Sequence, residues 1–208
     1  MNDDAIIIGY SGHAYVLLDV LITNGISILG YCEKELKTNN PYNLNYLGTE
    51  SDSEVLRILK QHHVFLGIGN NNVRAMVFKN LVNQNVICPS IVHQKAIVSL
   101  KSAIGRGTVV MPGAIINSGA KIGDAVICNS ASVIEHECII GNFVHIAPGA
   151  VLAGNVTVGE NTFVGANTVI KQGITVGASV IIGAGSVVVK DIPDNVTVYG
   201  NPAKAKVL

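Results

Sequence analysis

Glu135, His136, Glu137 and His145 sit together in SVIEHECIIGNFVHIAPGA, residues 132–150, amid otherwise bland Gly, Ala, Asn and Val. An imidazole titrates near neutrality, so it suits a general base that takes a proton from an attacking amine or hydroxyl. A neighbouring carboxylate raises its basicity and orients the ring. Two other readings use the same residues. Both histidines could be solvated surface groups, or they could bind a metal. Zinc needs three nitrogen, sulfur or carboxylate donors around one point. The repeat supplies only two histidines, with His93 one hexad before the repeat proper.

The elements that carry these residues follow from periodicity. Stepping by six from Val98 to Val188 meets Ile, Val or Leu every time except at Cys128. The residue two before each is mostly small or β-branched. Stepping by eighteen from Gly105 meets Gly123, Gly141, Gly159 and Gly177. Six residues make a short strand plus a corner, and three such units close a triangular coil whose branched residues stack inside. This pattern predicts a hexapeptide-repeat parallel β-helix, left-handed in its known form, with glycine supplying the positive φ of a sharp corner. His136 follows inward Ile134 by two and lies just past a corner, with Glu137 beside it, so both project outward. His145 directly precedes inward Ile146 and faces outward from a flat side. The histidines are nine residues apart, half a coil, and so lie on opposite sides of one prism. They meet only if prisms pack side by side, which predicts a homotrimer with three interfacial sites.

Composition narrows the function classes. Fourteen basic and fourteen acidic residues leave no net charge and no basic run for nucleic acid or a membrane surface. No apolar run reaches the length of a membrane span and no secretory leader is recognisable, so a cytoplasmic protein is expected. Cys32, Cys88, Cys128 and Cys138 lack zinc-ligand spacing and read as free thiols; Cys128 and Cys138 take inward positions of the repeat, as core and not as nucleophiles.

The first half alternates strands and helices. AIIIG, ISILGY and HVFLGIG read as strands; HAYVLLDVLITNG, SDSEVLRILKQH and NNVRAMVFKNLVNQN read as helices. This predicts a small Rossmann-like α/β domain over residues 1–90, followed by the β-helix over 91–195 and a C-terminal tail over 196–208. KTNNPYNLNYLGTE reads as a surface loop, and His62 and His63 as surface residues at a helix–strand junction. GYSGHA follows a strand and opens a helix. That is either a phosphate site built on backbone N–H groups or an ordinary strand–helix turn.

GYSGHA, GIGNNNVR, SVIEHECIIG, AGNVTVGENTFVGANTVI and VYGNPAK, in this order and spacing, resemble the sugar acetyltransferases of the sialic-acid O-acetyltransferase type. The resemblance covers nearly the whole chain. It is nearest to bacterial enzymes that N-acetylate a UDP-4-amino-4,6-dideoxy sugar on the way to UDP-N,N′-diacetylbacillosamine. It implies an acetyl-CoA-dependent N-acetyltransferase serving glycan assembly, without a metal. It implies His136 as general base, Glu137 as the support of its basicity, and His145 of a neighbouring chain as a contact to acetyl-CoA. Gly154 would offer its N–H to the oxyanion, and Ala166 and Ala184 would line the CoA groove. Ser11, Gly12 and His13 would hold the nucleotide-sugar diphosphate, with Gly69 and Asn70 lining the same crevice. Family members commonly end the second strand with paired aspartates. This chain has GYCEK, where Glu33 is the substitute. O-acetylation of sialic acid or a related sugar is the alternative activity, and a non-catalytic sugar-nucleotide scaffold the alternative class.

Overall fold

A computed structural model describes residues 4–205, in two compact units that meet at Ile91 and Val92. In the first unit, β1 (Ala5–Ile8), β2 (Ile28–Cys32), β3 (Asn45–Tyr46) and β4 (His63–Leu66) form a parallel sheet in the order β3-β2-β1-β4. All of β1 is buried, which is why AIII is uniformly apolar instead of alternating. The helices are α1 (Gly12–Thr23), α2 (Ser53–Leu59) and α3 (Asn71–Asn83). In α1 the buried residues include Ala14, Leu17, Leu18 and Leu21, one stripe at helical spacing. The helix stops before Gly25, whose φ is +76°. Asn70 caps α3 by accepting the Val73 N–H at 3.1 Å.

The segment read as a surface loop supplies β3, and it is lashed down by tyrosines. Tyr10 donates its hydroxyl to Asn40 Oδ1 at 2.6 Å, and Tyr42 donates to Asp19 Oδ1 at 2.8 Å. The segment stays at the surface, every residue of it exposed or half-buried. His62, read as a surface residue, is buried, and its Nδ1 lies 3.2 Å from the Asp4 carbonyl.

The second unit is a left-handed parallel β-helix of two-residue strands. Residues pair with partners eighteen along, for example Ile127 with His145 and His145 with Phe163. One face runs from Ala103–Ile104 to Thr175–Val176. A second runs from Val109–Val110 to Ile181–Ile182, and a third from Ile97–Val98 to Val187–Val188. The inward positions Ile116, Ile122, Cys128, Ile134, Ile140 and Ile146 form one buried stack with their successors.

The glycine corner has a different cause from the one expected. Gly123, Gly141 and Gly159 are not among the positive-φ residues. The left-handed backbone falls two positions later, at Ala125 (φ +50°), Phe143 (φ +60°) and Asn161 (φ +63°). Stacking demands the glycines: a Cβ on Gly141 would lie 2.6 Å from the Glu160 nitrogen in the next coil. The segment set apart as a tail also stays in the fold. Thr197–Tyr199 pairs with Ile181–Ile182 and then turns back on Lys204–Ala205.

Candidate active site

His136 stands on the corner between the third and first faces, with its side chain 52% exposed. Glu137 follows at a φ of +60°, pinned by its N–H to the Ser118 carbonyl at 3.0 Å. That turn brings Glu137 Oε2 to 3.1 Å from His136 Nδ1. A carboxylate only accepts, so the proton of neutral His136 resides on Nδ1 and Nε2 presents a lone pair. One coil further, Gly154 lies under the ring. A Cβ there would come within 2.5 Å of both Cε1 and Nε2. The glycine therefore admits the imidazole against its backbone, and among the described residues no hydrogen bond takes up the Gly154 N–H. A bare basic nitrogen and an unspent backbone donor thus share one spot. Glu135 does not join them: its Oε2 accepts from Asn117 Nδ2 at 2.9 Å.

His145 lies on the second face, which does not border the His136 corner, so one unit holds the two rings on opposite sides. It points away from the inner stack as expected, yet it is only 9% exposed, set edge-on to Phe163 with centroids 5.1 Å apart. Asn129 fixes its state. Asn129 Oδ1 accepts the Ser130 N–H at 2.8 Å, which turns Nδ2 toward His145 Nε2 at 3.0 Å. Nε2 is then the acceptor and the ring proton sits on Nδ1. Sequence reasoning passed over Asn129. The available signal was the register, which puts Ile127 beside His145 and Asn129 two residues further along.

Ala166 and Ala184 stack one coil apart on the corner between the second and third faces, half-buried and exposed respectively. Cys128 and Cys138 are fully buried. Burial pushes the Cys128 thiol up to about 12 and raises Cys138 as well, and Cys138 Sγ donates to the Ala153 carbonyl at 3.2 Å. Neither offers a thiolate. Among the described residues no three His, Cys, Asp or Glu converge to hold a metal.

In the first unit, the turns after β1 and β4 flank the point where strand order reverses, the place where open α/β sheets bind ligands. They border a cleft of about 270 Å³ lined by Ser11, Glu33, Gly69 and Asn70 among others. Ser11 is the N-cap of α1 and Gly12 its first residue, with open space where a Cβ would be. Among the described residues no hydrogen bond takes the N–H groups of Ser11, Gly12, Gly69 or Asn70. His13 packs beside Gly69, whose added Cβ would meet it at 3.7 Å. Burial, aided by the Arg74 charge, lowers its pKa to about 4, so it is neutral at physiological pH. Glu33 is tied to the first turn: Oε2 accepts the Tyr10 N–H at 3.2 Å and Oε1 accepts the Lys34 N–H at 3.0 Å. Arg74, fully buried under the second turn, was also missed from the sequence. Among the described residues no helix is long and apolar enough to cross a membrane.

Comparison with known proteins gives concordant matches. Residues 4–81 match the family described as PglD N-terminal domain, and residues 155–190 match bacterial transferase hexapeptide (six repeats). Curated protein sequences give no match. The acetyltransferase domain of PglB from Neisseria gonorrhoeae FA1090 is 34% identical with a TM-score of 0.92, covering 99% of this chain and 100% of that one. The same domain in complex with acetyl coenzyme A has a TM-score of 0.93 at 34% identity, with the same coverage of 99% and 100%. PerB from Caulobacter crescentus, in complex with CoA and GDP-perosamine, is 33% identical with a TM-score of 0.91, covering 100% of this chain and 99% of that one.

Proposed function

The chain belongs to the acetyl-CoA-dependent sugar N-acetyltransferases of the PglD type, and on that premise we propose that it acetylates the 4-amino group of a UDP-linked 4-amino-4,6-dideoxy-N-acetyl sugar. One observation carries the reading: His136 Nε2 is left as a lone pair by Glu137 and held against the Gly154 backbone. Nε2 takes the proton of the amine as its nitrogen attacks the thioester carbonyl. The Gly154 N–H faces the developing oxyanion, a role worth roughly 3 kcal/mol in acyl transfer. The C–N bond forms, the C–S bond breaks, and the proton on Nε2 passes to the departing thiolate. Glu137 keeps the ring oriented throughout. In the first unit, Ser11, Gly12, His13, Gly69 and Asn70 hold the nucleotide sugar, with Glu33 on the cleft wall. The acetyl coenzyme A and GDP-perosamine bound by the solved relatives support this ligand class.

Assembly is part of the proposal. The outward residues of the third face are Ile97, Ile115, Val133, Val151, Val169 and Val187, an apolar ladder that includes residues 65% (Ile97) and 43% (Val169) exposed. The first face is mixed, presenting Lys121, Thr157 and Thr175 beside Ala103 and an exposed Ile139. The ladder face is bordered by the His136 corner on one side and the Ala166–Ala184 corner on the other. Three copies packed with this face toward a three-fold axis bring the His136 corner of one beside the Ala166–Ala184 corner of the next. Around that second corner lies the face carrying His145. A homotrimer thus unites residues that one unit keeps apart, with acetyl-CoA between copies.

The decisive assay incubates the protein with acetyl-CoA and UDP-4-amino, GDP-4-amino and free sialic-acid acceptors while free thiol is followed. Turnover with the UDP-4-amino sugar is expected, and His136→Ala should lower kcat/KM about 10²–10⁴-fold. Failure with every 4-amino nucleotide sugar alongside turnover of sialic acid would replace the reading with O-acetylation.

A further inference from the structure

α3 buries Arg74, Val77, Phe78 and Leu81, a stripe at helical spacing whose first place is taken by a guanidinium. Burying a charge is costly unless hydrogen bonds replace its water, so the site should show a use for it. Arg74 Nη1 donates to the Ile68 carbonyl at 3.1 Å and the Gly69 carbonyl at 3.0 Å, and Nη2 donates to Asn71 Oδ1 at 2.8 Å. In a planar trans peptide the C=O and the following N–H point in opposite directions. Drawing the carbonyls of 68 and 69 toward the guanidinium therefore turns the N–H groups of Gly69 and Asn70 away from it. Those residues line the cleft, and no hydrogen bond among the described residues takes their N–H groups.

We propose that Arg74 is a positioning residue for the nucleotide sugar, holding the Gly67–Asn70 turn so that the Gly69 and Asn70 N–H groups receive one phosphate of the diphosphate. The inference rests on the reading that the first unit binds the nucleotide sugar. A buried cation below two outward N–H groups, at the start of a 13-residue helix, forms a field and a nest suited to an anion. The β1–α1 turn, whose Ser11 lines the same cleft, adds the N–H groups of Ser11 and the adjacent Gly12, so two turns match two adjacent phosphates. Glu33 and Glu50 also line the cleft and would repel phosphate there. Their carboxylates suit hydroxyl donors such as those of ribose.

The test has two arms on the full-length protein. In 15N-labelled wild type, titration with UDP, and with GDP in parallel so that base preference does not mask binding, should shift the Gly69 and Asn70 amide resonances downfield along with Ser11 and Gly12. In Arg74→Lys, a single ammonium cannot bridge both carbonyls and Asn71. The Kd for UDP and the KM for nucleotide sugar should rise about tenfold, as for loss of a charge-assisted hydrogen bond. kcat and the KM for acetyl-CoA should stay within about twofold, a split that general destabilisation would not produce. If Arg74→Lys fails to fold, the wild-type titration decides alone. Shifts confined to Ser11 and Gly12, or an unchanged Kd in folded Arg74→Lys, would overturn the role of Arg74. Absence of shifts on both turns with both nucleotides would overturn the nucleotide-sugar reading of this unit, and this inference with it.

Discussion

At the scale of single residues, the proposed reacting corner depends on what is missing from Gly154. Adding one methyl group puts a carbon 2.5 Å from His136 Nε2, so the ring must swing off the backbone donor. Gly154→Ala should leave the β-helix folded but lower kcat about 100-fold, the cost of a displacement near 1 Å at a reacting centre. Normal circular dichroism with normal turnover would refute the coupling of ring and glycine. His13 makes a second residue-scale prediction. Its unfolded-state pKa is 6.5 and its folded one about 4, so between those values the unfolded chain binds more protons. The stability of the first unit is therefore undiminished above pH 6.5. It falls by roughly 3 kcal/mol as pH drops toward 4. Tyr10, Tyr15, Tyr31, Tyr42 and Tyr46 lie in this unit and the chain has no Trp, so tyrosine fluorescence during urea unfolding reads it. His13→Gln should flatten that pH dependence.

Among the elements, coil stacking and corner geometry make separable demands on glycine. Gly141 lacks a positive φ but its added Cβ would strike the Glu160 backbone at 2.6 Å, whereas Gly173 has a φ of +73° and open space around it. Gly173→Ala should cost about 1–2 kcal/mol, the strain of a left-handed alanine. Gly141→Ala should cost more, because two coils must separate. Thermal or urea unfolding of the two variants gives the order. Inside the prism, Leu152 is fully buried and stacks between Ile134 and Ile170. Leu152→Ala should destabilise the β-helix by about 2–5 kcal/mol, the range for core truncations that leave a cavity. In the first unit the reversal of strand order between β1 and β4 creates the cleft, while the buried stripe of α3 puts Arg74 beneath its far turn.

For the whole molecule, the proposed chemistry needs more than one copy of the chain. His136 and His145 belong to opposite sides of the same β-helix, and the apolar third face supplies the surface that would close a ring. Val151, in the middle of that ladder, pairs with Val133 and Val169. Val151→Glu places a charge where three ladders would meet. Sedimentation should show a monomer, and turnover should fall more than about 100-fold although His136 and Glu137 are untouched. A trimeric, active Val151→Glu protein would refute packing through this face.

Whatever recurs, or lies next to its neighbour in the chain, was legible in the order of amino acids alone. The six-residue beat, the inner stack and the alternation of strands and helices are properties of period. The Glu137–His136 pair is a property of adjacency. Features set by distances between remote atoms emerged with the folded structure. It showed that the glycines recurring every eighteen residues answer to stacked backbones and not to φ, and that Asn129 orients His145. It tied a polar surface loop down through tyrosine hydroxyls, and it set Arg74 where a stripe pattern calls for an apolar side chain. The physical reason is that hydrophobic burial repeats with the backbone and leaves a pattern. A directed hydrogen bond or a close backbone approach is settled by a single geometry and leaves none.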